Sequence, residues 1–288
     1  MITLLHWLAR WPLWLLHGLG AGLGWLTYAA SPSYRRRLRV NAASASLGAA
    51  EGRASVAQAG RMVAELPWLW LPPQGRQLQD WVQWQGADAI VEALGKGQGL
   101  ILLTPHLGSF EVCAQAYALR FGTQAPMTAL YRPARKAWLR EVEETSRQRP
   151  GLLTAPANLA GVRQMIRALR RGETVGLLPD QVPPEGMGVW APFFGQPAYT
   201  MTLASRLLEQ TGAPLLLMWA QRRPAGQGWV VHALRPEDVL PGLADYSPAS
   251  INLYMEALIR RAPEQYLWGY HRYKQPRALA PNDAGTGA

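Results

Sequence analysis

The stretch LILLTPHLGSFEVC, residues 100–113, joins an apolar run to two titratable side chains. The apolar run stops at Pro105, His106 follows at once, and Glu111 comes five positions later. Within one helix, five residues would turn the two side chains about 140° apart, so they could not act together. The sequence therefore predicts that a strand ends at Pro105 and that His106 lies in the loop after it.

A helix is predicted directly after this loop. Gly108 lets the backbone turn, and Ser109 can cap a helix that begins at Phe110. Glu111 then lies in the first helical turn, where its carboxylate can hold one imidazole nitrogen of His106 and leave the other free as a general base. In the alternative interpretation, Glu111 only stabilises the helix dipole and takes no part in catalysis. The spacing alone leaves both interpretations open.

Further apolar runs alternate with amphipathic segments along the chain. Strands are predicted at residues 99–105, 126–132, 174–180, 214–220 and 228–234. Helices are predicted at residues 53–71, 158–172 and 200–209. Alternating strands and helices indicate an α/β fold, with a mixed, largely parallel central sheet flanked by helices. Open sheets of this kind usually place their functional sites at the carboxyl ends of the strands.

The N-terminal part of the chain combines an apolar segment with a basic cluster. Residues 11–30 carry no charged side chain and have about the length of a spanning helix, roughly 20 residues. Four arginines follow within residues 35–39, and they favour the cytoplasmic side of a membrane. We therefore expect a hydrophobic membrane-anchoring helix and its flank over residues 1–34. This helix either spans the bilayer or lies in its interface; a cleaved signal peptide is disfavoured because the arginines oppose export.

Two pairs of glycines in this segment have the spacing that permits close helix packing. Gly18 and Gly22 form one pair, and Gly20 and Gly24 form the other.

The composition narrows the class of protein. Of 288 residues, 49% are hydrophobic and 17% are charged, and the formal net charge is +10. Such a basic surface attracts anionic lipid, nucleic acid or an acidic protein. The single cysteine, Cys113, excludes an intramolecular disulfide and a cysteine-cluster metal site. No nucleic-acid-binding module is recognisable and the arginines are dispersed, so nucleic acid is not expected as a partner.

Several other segments accompany the His106 loop in a fixed order. They are LYRP (130–133), SRQRPG (146–151), LRRGETVGLLPDQ (169–181), PFFGQPAYT (192–200) and YLWGYHRYKQPR (266–277). Together with HLGSFE at 106–111, this ordered set resembles the late acyltransferases of lipid A biosynthesis. These lauroyl and myristoyl transferases belong to the lysophospholipid acyltransferase-like superfamily, whose motif is HxxxxD/E.

The resemblance implies a fold like that of glycerolipid acyltransferases and a specific reaction. An acyltransferase domain would occupy residues 35–277, before a flexible tail at 278–288. The enzyme would move a fatty acyl group from an acyl carrier protein thioester to a hydroxyl of a lipid A precursor. It would act at the cytoplasmic face of a bacterial inner membrane. His106 would be the general base and Glu111 would orient it, and no metal or organic cofactor is implied.

Five further residues are expected to bind substrate. Arg132 and Arg149 would bind acceptor phosphate or stabilise the oxyanion, although either could be a solvated arginine. Asp180 and Gln181 would shape the acceptor site, although an aspartate here could also serve only the turn. Gly195 would form a tight loop against the acyl site.

Two alternative functions remain open at this stage. An acyltransferase of the same superfamily could use another glycolipid, an aminolipid or a lysophospholipid as acceptor. A basic, membrane-attached binding protein would instead leave the His106–Glu111 pair dispensable.

Overall fold

The computed structural model describes residues 2–131 and 149–277. Within these residues, four helices precede an α/β unit. They are α1 (Ile2–Ala9), α2 (Leu13–Ala30), α3 (Pro32–Ser44) and α4 (Ala49–Trp70). The predictions made for Arg132 and for the tail at 278–288 lie outside the described residues.

The α/β unit alternates strands and helices. Its first half contains β1 (Val82–Gln85), α5 (Ala87–Gly95), β2 (Leu100–Leu103), α6 (Phe110–Phe121), β3 (Met127–Tyr131), β4 (Leu152–Pro156), α7 (Leu159–Arg170) and β5 (Thr174–Leu177). Its second half contains β6 (Gly188–Phe193), β7 (Gln196–Met201), α8 (Leu203–Thr211), β8 (Leu215–Arg222), β9 (Trp229–Leu234), α9 (Pro236–Val239) and α10 (Pro248–Ile259). Short 3-10 helices lie at 78–81, 224–226 and 263–265.

Seven strands form the central sheet, in the order β1-β9-β8-β2-β5-β3-β4. Neighbouring strands run parallel except β8 and β9, which are antiparallel. Strands β6 and β7 form a separate antiparallel hairpin. The predicted α/β class with a largely parallel sheet is therefore confirmed.

Strand β2 lies inside the sheet and is buried on both faces. Ile101 and Leu103 belong to one core cluster, whereas Leu100 and Leu102 belong to the other. The period of two along a strand sends alternate side chains to opposite faces, so a continuous apolar run suits this position.

Helix α2 packs on α4 through one stripe of its surface. The buried members of this stripe are Leu13, Leu16, His17, Gly20 and Gly24. The rest of the helix exposes large apolar side chains, namely Trp14, Leu19, Leu23, Trp25 and Leu26. In the part of the chain that the structure describes, we find no helix that is both long enough and apolar enough to cross a membrane.

Glycines permit the close approach of these two helices. A Cβ atom on Gly20 or on Gly60 would collide with the backbone carbonyl of the other residue. A Cβ atom on Gly18 or Gly22 would meet nothing within 4 Å. Of the two glycine pairs in the sequence, Gly20 and Gly24 are therefore the pair that packs on α4.

We predict that Gly60→Ala destabilises the protein, whereas Gly22→Ala does not. The added methyl of Gly60→Ala must push α2 away from α4, and overpacking of this kind costs about 1–3 kcal/mol. Gly22→Ala adds the same methyl in open space and removes a poor helix former, which favours the helix by roughly 1 kcal/mol. Thermal unfolding of both variants in detergent measures the difference, and equal shifts in Tm would contradict this description of the interface.

Candidate active site

The loop that carries His106 is tied to two other parts of the fold. Gly108 has a φ of 60°, and a Cβ atom at this position would collide with the carbonyl oxygen of Ala220 in β8. The Gly108 amide donates to the Gln265 carbonyl at 3.0 Å, and the Ser109 amide donates to the Ala220 carbonyl at 2.9 Å. Helix α6 begins at Phe110, as the sequence predicts, although the Ser109 side chain does not cap it.

A buried carboxylate from the neighbouring strand contacts His106. Asp180 follows β5, is 1% exposed, and its Oδ1 lies 2.7 Å from Nδ1 of His106. The Asp180 Oδ2 accepts a hydrogen bond from the backbone amide of His106 at 2.9 Å and another from the Tyr266 hydroxyl at 3.1 Å. Three hydrogen bonds thus satisfy a carboxylate that is removed from water.

The charge state of Asp180 decides the tautomer of His106. Burial by itself would raise the pKa of the Asp180 carboxyl, but the charge of His106 and its hydrogen bonds hold this pKa below its ordinary value. An ionised carboxylate can only accept hydrogen bonds, so Nδ1 of His106 carries the proton. In the neutral ring, Nε2 is then the acceptor, and it accepts a hydrogen bond from the Gln181 side-chain amide at 3.0 Å. An imidazole held in this tautomer has a basic nitrogen directed away from its carboxylate.

Glu111 does not occupy the position that the sequence predicts for it. The ring nitrogens of His106 contact Asp180 and Gln181, and no His106–Glu111 hydrogen bond is formed. Glu111 instead accepts a hydrogen bond from the Trp70 indole nitrogen at 3.3 Å. The carboxylate that orients His106 in the structure is therefore Asp180, which the sequence analysis assigned to the acceptor site.

His106 and Glu111 nevertheless share one cavity. This cavity has a volume of about 210 Å³ and lies between α6, β3 and β4. Its other lining residues include Ala114, Gln115, Leu130, Leu152 and Leu178. The wall is largely apolar and includes a few polar and titratable groups, which is the usual composition of a small-ligand site.

Gln115 is an unsatisfied polar group in the wall of this cavity. The residue is 1% exposed, and neither its side-chain nitrogen nor its side-chain oxygen has a hydrogen-bond partner among the described residues. Leaving a buried amide unpaired is unfavourable by about 1–3 kcal/mol. A ligand that offers a donor and an acceptor at this depth would satisfy both atoms.

A second buried charge network, which includes Arg222, contacts the loop that carries His106. Glu65 of α4 accepts hydrogen bonds from Nε and Nη2 of Arg222, each at 2.8 Å, and contacts Nε2 of His17 at 3.0 Å. Arg222 also donates from Nη2 to the Gly108 carbonyl at 3.1 Å. Burial by itself would raise the pKa of Glu65, but the Arg222 charge and the hydrogen bonds from Arg222 and His17 lower it to about 2.

The remaining predicted site residues lie at different places. Arg149 donates from Nη2 to the Leu69 carbonyl at 2.6 Å, and its burial lowers the pKa of the guanidinium. Gly195 lies in the exposed turn of the β6–β7 hairpin with a φ of 71°. Neither residue lines the cavity that contains His106. Cys113 is buried, which raises the pKa of its thiol to about 12 and keeps it protonated.

Sequence reasoning did not identify Tyr266, Glu65 or Arg222 as supports of the site. One signal was available for Asp180, because it follows a predicted strand just as His106 does. Carboxyl ends of neighbouring parallel strands meet at one edge of a sheet, and β2 and β5 are such neighbours. No comparable local pattern marks Glu65 or Arg222, since their partners lie far away in the sequence.

Comparisons with known proteins identify the family of the chain. The family model described as bacterial lipid A biosynthesis acyltransferase matches residues 1–275. The chain is 29% identical over 217 residues to the lipid A biosynthesis lauroyltransferase of Escherichia coli, covering 75% of this chain and 68% of that protein. It is 27% identical to the lipid A biosynthesis palmitoleoyltransferase of the same organism, with the same coverage. A lipid A biosynthesis acyltransferase of Haemophilus influenzae is 27% identical over 67% of this chain and 59% of its own length.

We predict that Glu65→Gln lowers the free energy of unfolding at neutral pH. It also makes this free energy less sensitive to acid pH. A folded-state pKa of about 2, below the ordinary 4.5, means that ionised Glu65 stabilises the fold above about pH 4.5. This contribution is lost as the pH falls from about 4.5 toward 2. Removing one partner of a buried pair costs about 3–5 kcal/mol.

Denaturant unfolding in detergent at several pH values measures this effect. The free energy of unfolding of the wild type should fall more steeply below pH 4.5 than that of Glu65→Gln. Glu209→Gln, which removes an exposed carboxylate on α8, is the matched control and should follow the wild type. An acid dependence unchanged by Glu65→Gln would refute the assigned role.

Proposed function

Because the chain belongs to the bacterial lipid A biosynthesis acyltransferase family, we propose a mechanism in which His106 is the base for acyl transfer onto lipid A. The observation that carries this proposal is the contact between Nδ1 of His106 and the buried carboxylate of Asp180. It holds the imidazole in the tautomer whose Nε2 can accept a proton. The acyl donor is an acyl carrier protein thioester, and the acceptor is a hydroxyl of a lipid A precursor.

The reaction proceeds by direct attack. The acceptor hydroxyl takes the place of the Gln181 amide at Nε2 of His106. Nε2 removes the hydroxyl proton while the hydroxyl oxygen attacks the thioester carbonyl. Collapse of the tetrahedral intermediate breaks the C–S bond, and the thiolate recovers the proton from the imidazolium. The ester is formed without a covalent enzyme intermediate and without a cofactor. Asp180 stabilises the imidazolium while it exists.

Glu111 contributes through charge in the same cavity. Its carboxylate belongs to the same cavity as His106 and stabilises, through charge and without a hydrogen bond, the imidazolium that forms during the reaction. This proposed role is weaker than the orienting role that the sequence suggests, because Asp180 holds the ring directly.

The shape and polarity of the cavity suit the reacting groups. Ala114, Leu130, Leu152 and Leu178 provide an apolar wall for part of an acyl chain. The unpaired amide of Gln115 can bind an ester, amide or hydroxyl group of either substrate. A net charge of +10 favours the approach of an acidic carrier protein and of a phosphorylated acceptor.

We place the enzyme at the cytoplasmic face of a bacterial inner membrane. Helix α2 exposes Trp14, Leu23 and Leu26 to solvent, and α1 exposes Trp7. Exposed arginines at positions 36, 37 and 39 follow on α3. An apolar, Trp-rich surface beside arginines is complementary to the interface of a bilayer that contains anionic lipid.

The catalytic assignment predicts graded losses in an acyl-transfer assay. His106→Ala should lower the rate about 10²–10⁴-fold, the usual contribution of a positioned base. Asp180→Asn should also lower the rate strongly and move the acid limb of the pH–rate profile to lower pH, because the imidazolium loses its carboxylate. Glu111→Gln should have a smaller effect in the same direction. The assay uses purified protein, a lipid A precursor and acyl carrier proteins that carry acyl chains of several lengths.

Asp88→Asn, at an exposed position on α5, is the matched control for Asp180→Asn and should retain activity. Full activity in folded His106→Ala would refute the mechanism. Transfer only to another lipid would keep the mechanism and overturn the lipid A precursor as acceptor. A free acyl thioester that reacts as well as the carrier-bound one would overturn the assigned donor.

The membrane assignment is tested separately by flotation with vesicles of anionic phospholipid. Leu26→Glu should reduce the bound fraction, because it places a charge in the apolar face of α2. Leu253→Glu makes the same change at an exposed leucine on α10 and should bind as the wild type does. Equal binding by both variants would exclude α2 as the contact surface.

A further inference from the structure

A second cavity lies apart from the one that contains His106. It has a volume of about 420 Å³ and lies between α2, α4 and the connection from β8 to β9. Its lining includes Trp14, His17, Gln58, Arg61, Arg222 and Arg223. The two cavities share no lining residue, and the volume lies within the usual range of ligand sites, about 300–1,000 Å³.

Arginines dominate the charge of this second cavity. Arg222 is neutralised by Glu65, whereas Arg61 has no hydrogen bond or ion pair with any described residue. Arg61 is half-buried, and both its burial and the charge of Arg222 lower the pKa of its guanidinium. Within the described chain, the guanidinium of Arg223 donates only to Gln227, at 3.2 and 3.3 Å. Glu264 is the opposing carboxylate in the lining, and it forms no ion pair with either arginine.

The cavity opens at the margin of the apolar face of α2. Trp14, which is 59% exposed, belongs both to that face and to the cavity lining. His17 and Gly18 continue the lining toward the stripe that packs on α4. A single ligand can therefore place an anionic group near Arg61 while its apolar part lies against the outer face of α2.

We infer that this second cavity binds the phosphate group of a membrane lipid. The guanidinium of Arg61 binds the phosphate through charge-assisted hydrogen bonds, and Arg223 supplies a second cation at the rim. The Gln58 side-chain oxygen already accepts from Arg222 at 3.0 Å, which leaves its amide group to donate to the same phosphate. The acyl chains lie against Trp14. This inference rests on the membrane contact proposed above for α2, but it does not depend on the acyl-transfer mechanism.

The site has a structural connection to the catalytic loop. Arg222 lines the second cavity and also donates to the carbonyl of Gly108, two residues beyond His106. A lipid phosphate bound beside Arg222 therefore lies next to the network that supports the loop. Binding at this site holds the enzyme against the bilayer through the face of α2 that carries Trp14.

Calorimetric titration with soluble short-chain lipids tests the inference without vesicles and without acyl donor. Wild type should bind dihexanoyl phosphatidate, and Arg61→Gln should bind it about tenfold or more weakly, the loss expected for a charge-assisted hydrogen bond. Arg223→Gln should also bind more weakly. Arg206→Gln, which removes an exposed arginine on α8, is the matched control and should bind as the wild type does.

Two further ligands distinguish the sources of the phosphate. Inorganic phosphate should bind more weakly than phosphatidate, because it lacks the chains that contact Trp14; equal affinity would overturn the lipid as the ligand. Dihexanoyl phosphatidylcholine should also bind more weakly, because its headgroup carries no net negative charge. Unchanged binding of phosphatidate by Arg61→Gln would overturn the site. His106→Ala should bind phosphatidate normally, so a failure of the catalytic proposal leaves this result interpretable.

Discussion

The buried carboxylate of Asp180 is the interaction on which the active-site geometry depends. It accepts hydrogen bonds from the His106 ring, the His106 backbone and the Tyr266 hydroxyl, which come from two separate parts of the chain. Since a buried ionised carboxylate is unfavourable without such partners, the position of Asp180 also holds the loop after β2 in place. The same contacts that satisfy the carboxylate therefore prepare Nε2 of His106 to accept a proton.

The N-terminal helices α2 and α4 are connected to the active-site loop. Gly20 and Gly60 let α2 and α4 approach closely, and α4 carries Glu65 into the interior beside Arg222. Arg222 then reaches the carbonyl of Gly108. A helix pair whose outer face suits a lipid surface is thus joined by buried hydrogen bonds to the loop that carries His106. The fold connects the place where lipid is expected to bind with the place where chemistry is expected to occur.

Much of the α/β fold could be predicted because its central strands are continuous apolar runs. Strands β2, β3, β5 and β8 follow this pattern closely, and β9 is predicted from its apolar residues although His232 interrupts them. Strand β1 has the sequence VQWQ, with alternate residues exposed, so it lacks a continuous apolar run. The start of helix α8 was predicted too early, because Thr200 still pairs in the β6–β7 hairpin. Pairing with a distant strand outweighed the local pattern there.

The charged partners of the site could be predicted only in part. His106 and Asp180 each follow a strand, and both were named from the sequence. Their contact crosses 74 positions in the chain, and Glu65 and Arg222 are 157 positions apart. Local spacing favoured Glu111 because it is the nearest carboxylate along the chain. Nearness in sequence does not indicate which side chain a histidine meets across a sheet.

The sequence by itself determined a strand, a turn with His106 and a helix over residues 100–113, because apolar periodicity, proline and glycine act locally. It also determined which titratable residues stand near strand ends. The tertiary structure alone decided that Asp180 and not Glu111 contacts the imidazole. The reason is the strand order, since β5 lies beside β2 and brings the loop after it to the ring, whereas Glu111 on α6 accepts a hydrogen bond from Trp70.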